Sequence, residues 1–226
     1  MVGCWALWEH HNKVIFDEAR VDPDGVVRRV RDVLNERVGA ELTSTVARGR
    51  RGRDEAGELS NGEGWKAATD GYVKINVDAG VKEGEGVGTG VVCRDGRSEV
   101  LWGLSTVRDV CWKIHEAEAI AVLDGMEEAV RRGMRDVEVE SDSSVVIEAL
   151  RSKKQGRSIF YNIVEDILAL STQFQSVRWL HTSRINNCVA HSLAHLVPRV
   201  AGRFVWSSGL PPSANAAVLF DRSLIK

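Results

Sequence analysis

The chain has 226 residues, enough for one substantial core plus an appendage. Its 30 basic and 32 acidic residues leave a net charge of −2, which argues against a strongly basic polyanion binder and leaves only a local groove open. No stretch supplies the ~20 apolar residues of a membrane span, and the start, MVGCWALWEHHNK, lacks the apolar length and flanks of a secretory signal.

The four cysteines, Cys4, Cys93, Cys111 and Cys188, have no CxxC spacing and suit reduced thiols. A soluble intracellular protein with no membrane partner is expected, with nucleus and cytoplasm undivided. Residues 1–45 carry Trp5, Trp8, Ile15, Phe16, Val26, Val27, Val30, Val33 and Leu34 at roughly helical spacing, with Pro23 between two helical candidates. Residues 46–64 are rich in Gly and charge and read as a flexible linker, whose RGRRGR has the chemistry to touch phosphate.

From Trp65 the pattern becomes that of a folded unit. YVKINVD alternates Val73, Ile75 and Val77 with Lys74, Asn76 and Asp78, a strand that ends on an acid. Two further strands, VGTGVVCR and EVLWGLS, flank the tight-turn signal DGR. A helix is expected over 114–132, a strand at DVEVES, helices over 143–151 and 158–171, a strand at SVRWLH and a helix over 186–197. The order βββ-α-β-α-α-β-α predicts an α/β fold whose sheet joins an antiparallel meander to strands added in parallel by helical crossovers.

The helix over 114–132 holds the decisive anomaly. Ile114, Ala117, Ala121, Val122, Gly125, Met126 and Ala129 form an apolar stripe, opposite Glu116, Asp124, Glu127 and Arg131. Glu118 falls inside the stripe and so faces the sheet, where an unpaired charge costs several kcal/mol. Asp78 ends the first strand, and Asp142 ends the strand after the helix. Asp142 alone suits an ordinary helix cap. Three acids aimed at one point repel one another unless cations sit among them, and oxygen-only ligands suit Mg²⁺ or Mn²⁺. A pair of such ions is the apparatus of in-line attack on a phosphodiester.

The motifs KINVDAG, AEAIAVLDGMEEAVRRG, VEVESDSSVVIEAL, RINNCVAHSLA and LPPSANAAVLFD, in this order, resemble the ribonuclease H family. The resemblance is greatest to the ribonuclease H-like domain of plant retroelement reverse transcriptases and their host-genome derivatives. It covers about residues 65–221, and ALWEHHNKVIFDE is similar to the Trp-rich segment just upstream in such reading frames. The resemblance implies a five-stranded mixed sheet, three strands antiparallel and two parallel, flanked by helices. It also implies Mg²⁺-dependent cleavage of the RNA strand of RNA–DNA hybrids; two Mg²⁺ or Mn²⁺ ions and a monomeric state are expected. By motif match Asp78, Glu118 and Asp142 are the metal-holding carboxylates, His181 assists product release, and Asn187 contacts the nucleic-acid backbone.

Two departures stand out: VDAG replaces VDG plus a small residue, and the fourth carboxylate position is His191, which suits Mn²⁺ better than Mg²⁺. His191 and His195 are four apart on a helix, a superficially zinc-like spacing without the HExxH glutamate or a cysteine partner. Gly80 and the glycines of 84–88 permit close approach of a substrate strand. RSKKQGR, with Lys153 and Lys154, is the phosphate-contact candidate or else a solvated loop. A binding module without turnover, a proofreading-type exonuclease (disfavoured because Asp-x-Glu is missing from the first strand) and a decayed element fragment are the alternative readings.

Overall fold

In the computed structural model, residues 65–82, 86–196 and 201–224 are described, so the expected helical segment 1–45 and linker 46–64 lie outside the described residues. The elements are β1 (Val73–Lys82), β2 (Gly86–Arg94), β3 (Val100–Arg108), α1 (Ile114–Arg131), β4 (Asp136–Ser141), α2 (Ser144–Ser152) and α3 (Ile159–Ser171). They continue with β5 (Ser176–His181), a 3-10 turn (Arg184–Asn187), α4 (Cys188–Ala194), β6 (Gly202–Trp206) and α5 (Pro212–Leu224). The sheet order is β5-β4-β1-β2-β3-β6. β1, β4 and β5 run parallel, and β1-β2, β2-β3 and β3-β6 pair antiparallel.

The sheet thus has six strands, not the expected five. GRFVW lacks alternation, is mostly exposed and covers only the outer edge of β3, so periodicity gives no sign of it. α5 also lies outside the expected element order; its Pro212 occupies the first helical position, where a missing N–H costs nothing. β1 does not end at Asp78 but continues to Lys82. What ends beside Asp78 is the ladder to β4, whose register stops at Val77–Ser141.

Helices cover both faces. Ile75, Val77 and Val91 pack with Met126 of α1 and with Ile163, Val164 and Ile167 of α3. On the other face Val92 packs with Leu193 of α4 and with Ala217 and Val218 of α5. The polar half of the β1 alternation is therefore buried as well, and it is satisfied internally. Asn76 receives hydrogen bonds from Trp65 (3.1 Å) and Arg94 (2.8 Å) and donates to Glu140 (2.6 Å), while Arg94 pairs with Asp221 at 2.6 Å.

α1 lies close on the sheet, as its small residues imply: a Cβ on Gly125 would stand 3.1 Å from Val91, 3.2 Å from Ile75 and 3.3 Å from Val77. Its charged face differs from expectation. Asp124 is buried, accepting from Thr89 (2.6 Å) and paired with Arg108 (2.5 Å). Glu116 is buried too, accepting the Lys113 backbone N–H at 3.0 Å, while Ile114, at the first turn, is 52% exposed. Arg108, outside the helix, gives Asp124 the partner that helical phase alone does not reveal.

Candidate metal centre

Beyond Val77, β4 no longer covers the edge of β1, and two side chains take its place. Asn187 donates to the Val77 carbonyl at 2.8 Å, and the Glu118 carboxylate accepts a backbone hydrogen bond from Ala79. The sheet thereby draws both side chains to the stretch that carries Asp78. Asp142, just past the end of β4, completes the group. One carboxylate oxygen from each of Asp78, Glu118 and Asp142 lies within 4.8 Å of the others.

Asp142 is not a helix cap. Ser143 occupies the N-cap of α2, its amide bonded to Ser141 Oγ at 3.1 Å. The Asp142 oxygens instead meet Arg184 (3.1 Å) and Asn187 (3.5 Å). The Arg184 side chain is 80% exposed, and an ion pair so open to water contributes only ~0–1 kcal/mol. It does not neutralise the group.

Burial, then the charges of Asp78 and Asp142, push the Glu118 carboxyl up to about 9. Burial raises Asp78 as well, against the lowering effect of the His191 hydrogen bond. Among the described residues, Glu118 Oε2 is buried without a hydrogen-bond partner. A buried, unpartnered oxygen among like charges is a poor arrangement for a metal-free protein. It fits hard divalent cations with oxygen ligands.

His191 stands with this group: its Nδ1 is 2.8 Å from Asp78 Oδ2. Asn187 also converges, but from within. It is buried, and its amide braces β1 and Asp142. Gly80 lies buried inside β1 opposite Gly88, not in an open loop. His181 is exposed at the end of β5, in register with Ser141 and one residue from Asp142. Lys153 and Lys154 are exposed at the C-terminal end of α2, where Lys153 is left-handed (φ 49°).

Sequence reasoning missed Arg184 and the inward role of Asn187. Both reach Asp142 across more than 40 residues, and the only local sign was their position on the turn before α4.

Residues 76–197, more than half of the chain, match the family model described as reverse transcriptase-like. The chain belongs to this family. Its fold is ribonuclease H-like. It is 25% identical to the N-terminal RNase H domain of Rv2228c from Mycobacterium tuberculosis, with a TM-score of 0.50 over 54% of this chain and 90% of that one. RNase H1 from the archaeon Halobacterium salinarum is 21% identical, with a TM-score of 0.50 over 54% of this chain and 94% of that one. No curated protein matches the chain. Within the reverse transcriptase-like match fall Asp78, Glu118, Asp142, Asn187 and His191. Among the described residues, no helix is long and apolar enough to cross a membrane.

Proposed function

We propose that this chain is a divalent-metal-dependent endonuclease that cuts the RNA strand of RNA–DNA hybrids. Asp78, Glu118, Asp142 and His191 would hold Mg²⁺ or Mn²⁺, as two ions. The observation that carries the reading is the gathering of three carboxylates within 4.8 Å around an unpartnered Glu118 oxygen. The likeness to the M. tuberculosis RNase H domain supports the choice of substrate. When bound, the ions supply a Lewis acid that lowers the pKa of water and offsets charge on the leaving oxygen.

The residues divide the remaining work. Asp78, central to the group, would help hold both ions, whose charge would offset that of the scissile phosphate. Glu118 and Asp142 fix the leaving side, and Asn187 holds Asp142 and the β1 edge in place. His191, against Asp78, orients the attacking water, and the exposed His181 accepts a proton or loosens product at the rim. Lys153 and Lys154 steer the phosphate backbone from the end of α2. Attack in line leaves a 5′-phosphate and a 3′-hydroxyl. RNA is told from DNA by its 2′-hydroxyls across the shallow minor groove. The 1–45 and 46–64 divisions, retroelement ancestry and a monomeric state belong to the same reading.

The test is cleavage of an end-labelled hybrid with Mg²⁺ or Mn²⁺, with Asp78→Asn beside the parent. The expected outcome is metal-dependent cutting that falls roughly 10²–10³-fold in the variant, the scale of several kcal/mol of lost transition-state stabilisation. Equal rates exclude this site. A second reading, a binding module without turnover, is favoured by the His191 replacement and the Arg184–Asp142 contact. Hybrid binding without cutting under either metal selects it.

A further inference from the structure

We propose that Asp78, His191 and His195 form a second, nitrogen-rich metal seat that takes a divalent transition-metal ion in preference to Mg²⁺. This deepens the reading above and rests on it, because the two seats share Asp78.

The sequence shows only two histidines four apart; the third ligand comes from a strand 113 residues away. Asp78 pairs with Gly90 across β1 and β2. A Cβ on Gly90 would stand 2.2 Å from the Ala190 carbonyl oxygen and 2.2 Å from the Ala194 amide. The α4 backbone therefore rests directly on β2 opposite Asp78, a contact that only glycine allows. The residues after those two alanines are His191 and His195, so the same contact delivers both imidazoles to Asp78.

Both histidine-to-Asp78 distances suit one ion, and all three ligand atoms lie within 4.8 Å of one another. His191 Nδ1 is 2.8 Å and His195 Nδ1 4.0 Å from Asp78 Oδ2. Ligand atoms bound at ~2.1 Å to one ion stand no more than ~4.2 Å apart. The two ring centroids lie 4.1 Å apart, with the ring planes tilted by 32°. His195 Nδ1 also meets the His191 carbonyl at 3.0 Å. In the metal-free chain it donates there, and binding exchanges that hydrogen bond for coordination at a side chain already 40% exposed.

The donor chemistry separates this seat from its neighbour. Imidazole nitrogens favour transition-metal ions, whereas Asp78, Glu118 and Asp142 offer only oxygens and suit Mg²⁺. The partial exposure of both histidines leaves coordination positions for water or a phosphate oxygen.

Co²⁺ absorption of the full chain, with Mg²⁺ as competitor, tests the seat. The expected result is a visible Co²⁺ band that a tenfold excess of Mg²⁺ does not remove, with affinity falling at least about tenfold in His195→Ala. Glu118→Gln should weaken Mg²⁺ binding and keep the band. Equal Co²⁺ affinity in parent and His195→Ala, or displacement by equimolar Mg²⁺, overturns the proposal. As a readout independent of any variant, the ring ¹⁵N resonances of both histidines should shift when Zn²⁺ is added to the parent; no shift overturns it as well. The two readings fail separately. Mg²⁺-supported hybrid cleavage without a histidine-dependent Co²⁺ band defeats this seat alone. A band without cleavage under any metal sinks the nuclease and leaves the seat standing.

Discussion

Glu118 couples folding to protonation in one side chain, and under the proposed function to metal uptake as well. Its carboxyl, pushed up to about 9 by burial and by two neighbouring acids, lies above the ~4.3 of an unfolded glutamate. The folded chain therefore holds a proton that the unfolded chain has released. The stability linked to that proton is complete below about pH 4.3 and drains away as pH rises toward about 9. Near pH 7 a cation at Glu118 must displace the proton, so titration calorimetry in two buffers of different ionisation enthalpy should show about one proton released per chain from this carboxyl. Release should fall in Glu118→Gln; a parent that releases none contradicts the account. Asn187 offers a second check. Removing its amide leaves the Val77 carbonyl without this donor, so Asn187→Ala should cost about 1–3 kcal/mol in thermal unfolding. It should also weaken metal binding about 10–100-fold, as loss of a ligand-orienting group does. The acids were visible in the sequence because each broke a local pattern: Glu118 an apolar stripe, Asp78 and Asp142 the ends of alternating runs. Asn187 and His195 broke none, and their importance comes from β1, more than 100 residues earlier.

At the scale of elements, two glycines set how closely helices lie on the sheet, and they should respond differently to alanine. Gly125→Ala in α1 places a methyl 3.1–3.3 Å from side-chain methyls, which need shift by only a few tenths of an ångström. It also gains up to ~1 kcal/mol of helix propensity. Gly90→Ala places one 2.2 Å from the backbone of α4, which must move as a whole. Overpacking of this kind costs about 1–3 kcal/mol or more. Urea unfolding should therefore show Gly90→Ala clearly the less stable of the two; the reverse order would mean that α4 does not seat on β2 as described. Helical and strand periods carried most element positions, even though β1 to β4 are buried on both faces. Periodicity failed where burial is not amphipathic. β6 is an exposed edge strand, and Asp124 looks solvated until Thr89 and Arg108 arrive from β2 and β3.

At the scale of the molecule, one buried guanidinium ties the two ends of the described unit together. Arg94 stacks 3.4 Å over the ring of Trp65, near the start, and pairs at 2.6 Å with Asp221 in the last helix. Burial opposes both charges, lowering Arg94 and pushing Asp221 up to about 6, so each depends on the other. Asp221→Ala should cost about 3–5 kcal/mol in urea unfolding, and Arg94→Met with Asp221→Leu should recover most of it. Nothing local in the sequence marks this pair, because its members are 127 residues apart. The whole fold serves the point where β1, α1 and the residue after β4 bring three acids together. A titration of Mn²⁺ followed by electron paramagnetic resonance tests that point most directly. The full chain should take up Mn²⁺ stoichiometrically, and Asp78→Asn, folded to the same extent, should lose that uptake. A parent that leaves Mn²⁺ free in solution, or a variant that binds it equally well, contradicts the account.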